Sequence, residues 1–251
     1  MQIESGKRIY FLSDFHLGVP DHASSLTREK KIVAFLERIR HDAAMILIVG
    51  DLFDFWFEYR TVVPKGFVRI LGKMAELSDA GIPIHFFVGN HDMWMSGYFE
   101  KEMNIPVFHE PKEYMFNGKK FLVGHGDGLG PGDKGYKFLK KIFRNPVCQF
   151  LFGLIPPYFG ISLASYSSRS SRSVTGGSDE KFLGEDKEWL VQYARKKLTE
   201  KDIDFFIFGH RHLPIDFKLN EKSRYINLGD WLRYNSYAEF DGETVSLKYD
   251  A

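Results

Sequence analysis

The stretch Phe205-Phe206-Ile207-Phe208-Gly209-His210-Arg211-His212 decides the fold. Four apolar residues are too few for a helix, and a short apolar run closed by a turn residue reads as a strand buried on both faces. This one empties into two histidines two positions apart. Four earlier runs end in the same way. Ile9 to Ser13 leads into Asp14-Phe15-His16, and Met45 to Val49 into Gly50-Asp51. Ile84 to Val88 leads into Gly89-Asn90-His91-Asp92, and Phe121 to Val123 into Gly124-His125-Gly126-Asp127. An open α/β sheet builds its site at the carboxyl edge of such strands. Five edges bearing Asp, His and Asn therefore read as one metal centre assembled from the whole chain.

Working outward, helical spacing over about Leu26–Arg40 and Gly66–Ala80 alternates with strands Arg8–Ser13, Met45–Val49 and Ile84–Val88. This βαβαβ order predicts a parallel sheet with helices on its faces. The second half is richer in strands: Tyr114–Phe116, Lys120–Val123, Phe205–Phe208, Arg224–Leu228, Ser236–Phe240 and Thr244–Tyr249, with a helix over about Gly184–Leu198. Asn117-Gly118 and Asp241-Gly242 read as hairpin turns. The expected fold is α/β: two mixed sheets packed as a sandwich between outer helices, in one domain spanning 1–251. Residues 131–180 break the rhythm with helical patterns around Lys134–Phe143 and Val147–Phe152 and a Ser-rich stretch, and read as an inserted lid over the site.

Composition sets the class. The chain has 251 residues, 44% of them hydrophobic, enough for one sizeable core. A net charge of +1 supplies no global basic field, so nucleic acid is not an expected partner. No protein partner is expected either. The single cysteine, Cys148, excludes an intramolecular disulfide and fits a reducing cytosol. Ile9 to Leu12 is too short for the apolar region of a signal peptide. The 24 residues between Arg144 and Arg169 carry no charged side chain, but Pro156-Pro157 and polar residues interrupt them. A surface that touches lipid is expected there rather than a spanning helix. Lys134, Lys137, Lys140 and Lys141 could hold it against anionic headgroups.

The ligand inventory is Asp14, His16, Asp51, Asn90, His125, His210 and His212. In extended chain, positions i and i+2 point the same way, so each D-x-H or H-x-H pair can reach one ion. Seven ligands exceed one tetrahedral ion and suit two, and a carboxylate such as Asp51 can bridge them. Nitrogen and oxygen donors without thiolate suit Mn, Fe or Zn. Two such cations clamp a phosphoryl group and activate a water for in-line attack on phosphorus. His91, beside Asn90, is expected to protonate or stabilise the departing oxygen, with Asp92 orienting its ring. In the aromatic cluster Phe53, Phe55, Trp56, Phe57 and Tyr59, most members are expected in the core and Trp56 on the groove wall.

The ordered set D-x-H, G-D, G-N-H-D, H and G-H-x-H resembles the calcineurin-like metallophosphoesterases over nearly the whole chain. The resemblance implies a four-layer αββα fold. It also implies a division of ligands: Asp14, His16 and His212 on one ion, Asn90, His125 and His210 on the other, and Asp51 between. Gly50-Asp51-Leu52-Phe53-Asp54-Phe55-Trp56, and His125-Gly126-Asp127 followed by Asp133, Gly135 and Tyr136, are similar to segments of the UDP-2,3-diacylglucosamine hydrolases of lipid A synthesis. That likeness implies cleavage of a UDP-linked diacylglucosamine to UMP and the sugar 1-phosphate, with two Mn²⁺ ions. It implies Asp133 and Tyr136 near substrate and an acyl-binding lid. It also implies a cytoplasmic protein held peripherally at the inner membrane. Arg169 and Arg172 are the residues available to bind the sugar phosphate. The chain departs from many members in carrying His91 where they carry Arg, which leaves a paralogue acting on another phosphodiester or nucleotide as the alternative. A nuclease or a non-catalytic scaffold is disfavoured by the near-neutral charge and the complete ligand set.

Overall fold

The computed structural model describes residues 1–132, 134–164 and 181–250. Its first sheet holds β1 (Arg8–Leu12), β2 (Ala43–Val49), β3 (Ile84–Phe87), β4 (Val107–Phe108), β10 (Ser236–Phe240) and β11 (Val245–Tyr249), in the order β11-β10-β1-β2-β3-β4. Strands β1 to β4 run parallel, and β10 pairs antiparallel with β1. The second sheet orders β5 (Lys112–Phe116), β6 (Lys119–Gly124), β7 (Phe205–Phe208), β9 (Arg224–Leu228) and β8 (Pro214–Lys218) as β5-β6-β7-β9-β8, with β6, β7 and β9 parallel.

Period-two alternation sorts the strand residues into layers. Ile9, Phe11, Leu47 and Val49 face Phe121, Val123, Ile207 and Ile226 between the sheets. Tyr10, Leu12, Ile46 and Ile48 face outward onto Ile32, Phe35 and Leu36 of α1 (His22–Ile39) and Ile70, Met74 and Leu77 of α2 (Val68–Asp79). Leu122, Phe206 and Phe208 pack on Leu190, Val191 and Ala194. These lie on the helix Trp189–Leu198, α6 below. Helix, sheet, sheet and helix thus form the four expected layers. The parallel strands are apolar on both sides because both sides are covered.

Several boundaries differ from the sequence reading. Helix α1 starts at His22, because Asp21 caps it by accepting from Ser24 N. Helix α2 starts late, at Val68, since Phe67 is held at φ 57°. Helix α6 starts at Trp189, after a turn in which Lys187 and Glu188 donate to Gly184 O. The short helix α3 (Tyr98–Met103), β4 and β8 were not foreseen. Helices α4 (Lys134–Phe143) and α5 (Pro146–Gly153), with helical residues 157–164, occupy the anticipated insertion. Asp133, Arg169 and Arg172 lie outside the described residues.

Candidate metal centre

The loops after β1, β2, β3, β6 and β7 meet at one edge of the sandwich. Asp14 N donates to Gly50 O at 3.1 Å and His16 N to Asp51 O at 2.9 Å, which zips the first two loops together. Gly209 N donates to His125 O at 2.9 Å, and His210 N donates to Asp14 Oδ2 at 3.0 Å across the two sheets. The extended-chain argument for the i, i+2 pairs does not describe the backbone found. Asp14, His16, Asp51, His210 and His212 have φ of 56°, 44°, 53°, 70° and 50°, a left-handed region that non-glycine residues seldom adopt. The loops curl at these five residues, which turns their side chains toward one another.

Two glycines are fixed by close approach. A Cβ on Gly89 would strike the Asp51 carboxylate, and one on Gly209 would strike Ser13 Oγ and Asp14 Oδ2. The G-N-H-D and G-H-R-H sequences need glycine there because ligands from neighbouring loops fill the space.

Asp14, His16 and His212 form one tight group of donor atoms, and Asp14, Asp51 and His125 another. His16 Nε2 and His212 Nε2 face each other at 3.1 Å. Asn90 Oδ1 lies 3.2 Å from His125 Nε2 and 2.9 Å from His210 Nδ1. Asp51 Oδ2, in the second group, is 3.2 Å from His125 Nε2 and reaches to 3.7 Å from His16 Nε2 of the first. Asp14 Oδ1 and Asp51 Oδ2 are buried and meet no donor in hydrogen-bonding geometry. Buried carboxylate oxygens are costly in that condition. Converging on imidazole nitrogens, they fit divalent cations of the Mn, Fe or Zn type.

The electrostatics agree with that fit. Burial alone would raise the Asp51 carboxyl, but His125, His91 and His16 pull it well below the usual range. Burial would lower His125, yet the Asp51, Asp14 and Asp127 carboxylates raise it to about 10. A proton on His125 thus balances carboxylate charge where a cation would do the same. Burial takes His91 and His210 down to about 4.

Carboxylates and carbonyls behind the cluster orient the rings. His125 Nδ1 lies 2.8 Å from Val49 O, and His212 Nδ1 3.4 Å from Asp230 Oδ2. Asp54 Oδ1 lies 3.6 Å from His16 Nδ1 and 3.7 Å from His91 Nδ1, and Asp54 O lies 3.0 Å from the same His91 atom. The sequence reading gave the orienting role for His91 to Asp92. The structure corrects this. Asp92 is fully buried and accepts from Gly89 N and Leu52 N, at 2.7 and 2.8 Å, and from Asp51 N. Burial, and then the charge of Asp51, raise its carboxyl to about 7. It holds the β2 and β3 loops together instead. The Asp54 signal was present in Asp51-Leu52-Phe53-Asp54 but carried no role.

Trp56 is also corrected. It is fully buried in the core, stacked on Phe53 at 4.3 Å and packed against Tyr98 and Phe99 of α3, and it is absent from the lining of the cavity described below. Phe55 takes the wall position. With Leu17, Val19, Phe67, Tyr158 and Ile161 it lines an apolar cavity of about 520 Å³, whose wall includes Asp54 behind the cluster. Tyr136 Oη donates to Asp127 Oδ2 at 2.6 Å, and its ring lies 6.4 Å from His210. Arg211, between the two histidines, points away from the cluster and pairs with buried Glu188 at 2.9 Å. Phe143 and Phe152 pack against Trp94, while Phe138 is 66% exposed.

Comparison with known proteins agrees with this arrangement. A protein of Porphyromonas gingivalis (strain ATCC BAA-308 / W83) described as UDP-2,3-diacylglucosamine hydrolase is 44% identical over 253 residues, covering 96% of this chain and 97% of its own length. One of Ectopseudomonas mendocina (strain ymp), similarly described, is 29% identical, covering 94% of this chain and 95% of its own. Among solved structures, a dimetal phosphatase from Danio rerio superposes with a TM-score of 0.51 at 13% identity, covering 98% of this chain and 96% of that one, which speaks to fold alone. The pattern of the calcineurin-like phosphoesterases matches residues 7–214, and the chain belongs to that family.

Proposed function

We propose that the protein is a dinuclear-metal hydrolase that cleaves the pyrophosphate of UDP-2,3-diacylglucosamine to UMP and 2,3-diacylglucosamine 1-phosphate. The observation that carries this reading is an apolar cavity of about 520 Å³ lined in part by Asp54, whose carboxylate stands 3.6 Å from His16 of the buried donor cluster. A soluble diester has no need of such a chamber, whereas each acyl CH₂ buried there contributes about 0.8 kcal/mol. Similarity to the Porphyromonas protein over nearly the whole of both chains supports the same substrate.

Asp14, His16 and His212 are assigned to one cation and Asn90, His125 and His210 to the other, with Asp51 shared; Mn²⁺ is the proposed metal. When bound, the ions supply Lewis acidity at the phosphoryl group. The chain's own residues do the rest. Asp54 O can only accept, so His91 Nδ1 carries the ring proton and Nε2 is the basic nitrogen. Hydrolysis adds the OH of water to the phosphorus of the uridylyl moiety and its remaining proton to the departing sugar phosphate; His91 Nε2, unprotonated at rest, is assigned to take up that proton and pass it to the departing oxygen. Asp133 and Tyr136 are proposed to lie near the substrate, and Arg169 and Arg172 to bind the sugar phosphate. Pro157, Tyr158, Ile161 and Ser162 line one side of the cavity, and we assign the insertion the role of a lid over the acyl chains.

No helix among the described residues is long and apolar enough to cross a membrane. Phe138, Phe150, Leu151, Leu154, Tyr158 and Phe159 are 56 to 78% exposed on the insertion. We assign them, with exposed Lys134 and Lys141, to peripheral contact with the cytoplasmic face of the inner membrane; Lys140 turns inward onto Asp127 and Lys137 onto Gly130 O instead. Co-sedimentation with anionic vesicles tests this, and loss of sedimentation in Phe150→Ser/Leu151→Ser is the expected result. Equal sedimentation of the variant would sink it.

Phosphorus NMR of the protein with Mn²⁺ and UDP-2,3-diacylglucosamine tests the chemistry, with Asp51→Asn as control. UMP and sugar 1-phosphate, absent in the control, are expected. Cleavage of an aryl phosphodiester but not of this substrate would overturn the substrate assignment and retain the metal centre.

A further inference from the structure

Trp94 lies three residues beyond His91 and takes no part in the donor cluster, yet it is the main contact between that loop and the inserted helices. Its Nε1–H donates to Phe143 O, the last residue of α4, at 2.7 Å. Its ring lies 5.5 Å from that of Phe143, 4.7 Å from Phe152 of α5, and 5.3 Å from Phe57 of the loop that follows Asp51. An isolated bridge joins Phe57 to Trp94. Phe152 also packs on Phe55, which lines the apolar cavity, and on Phe57, at 6.2 and 4.9 Å. One indole therefore touches the elbow between α4 and α5 and both loops that deliver Asp51, Asn90 and His91.

We propose that Trp94 is a positioning residue that couples apolar groups bound in the cavity, through Phe55 and Phe152, to the setting of the His91 loop. This rests on the substrate reading above. Binding energy from a remote part of a substrate raises kcat only if something rigid carries it to the reacting centre. The indole meets that need in two ways: its N–H fixes the end of α4, and its ring packs against those of Phe143, Phe152 and Phe57. An aromatic seat of this kind has a defined geometry that aliphatic packing lacks. In this arrangement the acyl chains order the helices, and the ordered helices hold the loop through Trp94.

Trp94→Phe keeps a ring and removes the N–H. The experiment compares kcat for UDP-2,3-diacylglucosamine with kcat for UDP-glucosamine, which has the same polar part and no acyl chains. In the wild type the acylated substrate should turn over at least about tenfold faster. In Trp94→Phe that advantage should shrink about tenfold, with kcat for UDP-glucosamine and the melting temperature unchanged. Gln149→Leu removes the other donor to Phe143 O, Gln149 Nε2 at 3.0 Å, and should keep the wild-type advantage. An undiminished advantage in Trp94→Phe, or an equal loss on both substrates, overturns the proposal. If the wild type fails to cleave the acylated compound, the substrate reading falls, and hydrogen exchange still judges the coupling. Amides of α4, α5 and residues 89–95 should then exchange faster together in Trp94→Phe. Unchanged rates in α4 and α5 would defeat it.

Discussion

At the scale of the residue, Asp54 shows how one carboxylate behind the cluster serves two rings. It stands 3.6 Å from His16 and 3.7 Å from His91, one an assigned cation ligand and the other the assigned proton carrier. Residues that orient ligand rings typically contribute about 10- to 100-fold to metal affinity or activity. Asp54→Asn is therefore expected to lower kcat with Mn²⁺ by about that factor while leaving the fold intact by circular dichroism. A variant of wild-type activity would show that the backbone carbonyl of residue 54 suffices. The convergence of the donor residues was legible because each follows an apolar run. Asp54 and Asp230 were not, because their partners lie 37 and 18 positions away in sequence and no local pattern announces the pairing. The left-handed curl at Asp14, His16 and Asp51 was equally hidden, since Asp and His carry no turn signal as strong as glycine's.

At the scale of the element, legibility followed burial. β1, β2, β3, β6 and β7 are continuous apolar runs because they are covered on both faces. β8 begins with Pro214 and lies at a sheet edge, where proline is tolerated and alternation is weak. β4 has two residues and α3 six, too short for any period to show. One contact between elements titrates. His85 on β3 and Tyr114 on β5 meet at 2.8 Å, joining the two sheets. Burial, and then Lys112, hold His85 below its ordinary value. The unfolded chain thus binds its proton more readily, so stability falls as pH drops below about 6.5. Melting temperatures from pH 8 to 5.5 should fall more in the wild type than in His85→Gln. Parallel curves would assign the loss to other groups.

At the scale of the molecule, the donors come from both sheets. Asp14, Asp51 and Asn90 hang from the first and His125, His210 and His212 from the second. A cation bound by both sets acts as a clamp between sheets otherwise joined mainly by the core of Phe11, Phe121, Ile207 and their neighbours. Because a ligand that binds only the folded state stabilises it by mass action, chelation should lower the melting temperature as well as abolish activity. Readdition of Mn²⁺ should restore both. Loss of activity with no change in melting temperature would mean that the ions do not bridge the sheets. The four layers were visible from strand and helix order. The seat of α4 and α5 on Trp94 was not, because it depends on rings brought together from residues 55, 57, 94, 143 and 152.

The left-handed backbone at the ligands has a further consequence, for the trade between stability and activity. A non-glycine residue held in that region costs on the order of 1 kcal/mol, and the loops bear it at five ligands. The bare site is then a weak point of the folded chain, tolerated for what it binds. His212, at φ 50° with its side chain 23% exposed, is the ligand where relief is simplest. His212→Gly is expected to melt no lower than the wild type when both are stripped of metal, and to lose the extra stability that Mn²⁺ confers. A lower melting temperature in the stripped variant would show that the histidine supports the fold in its own right.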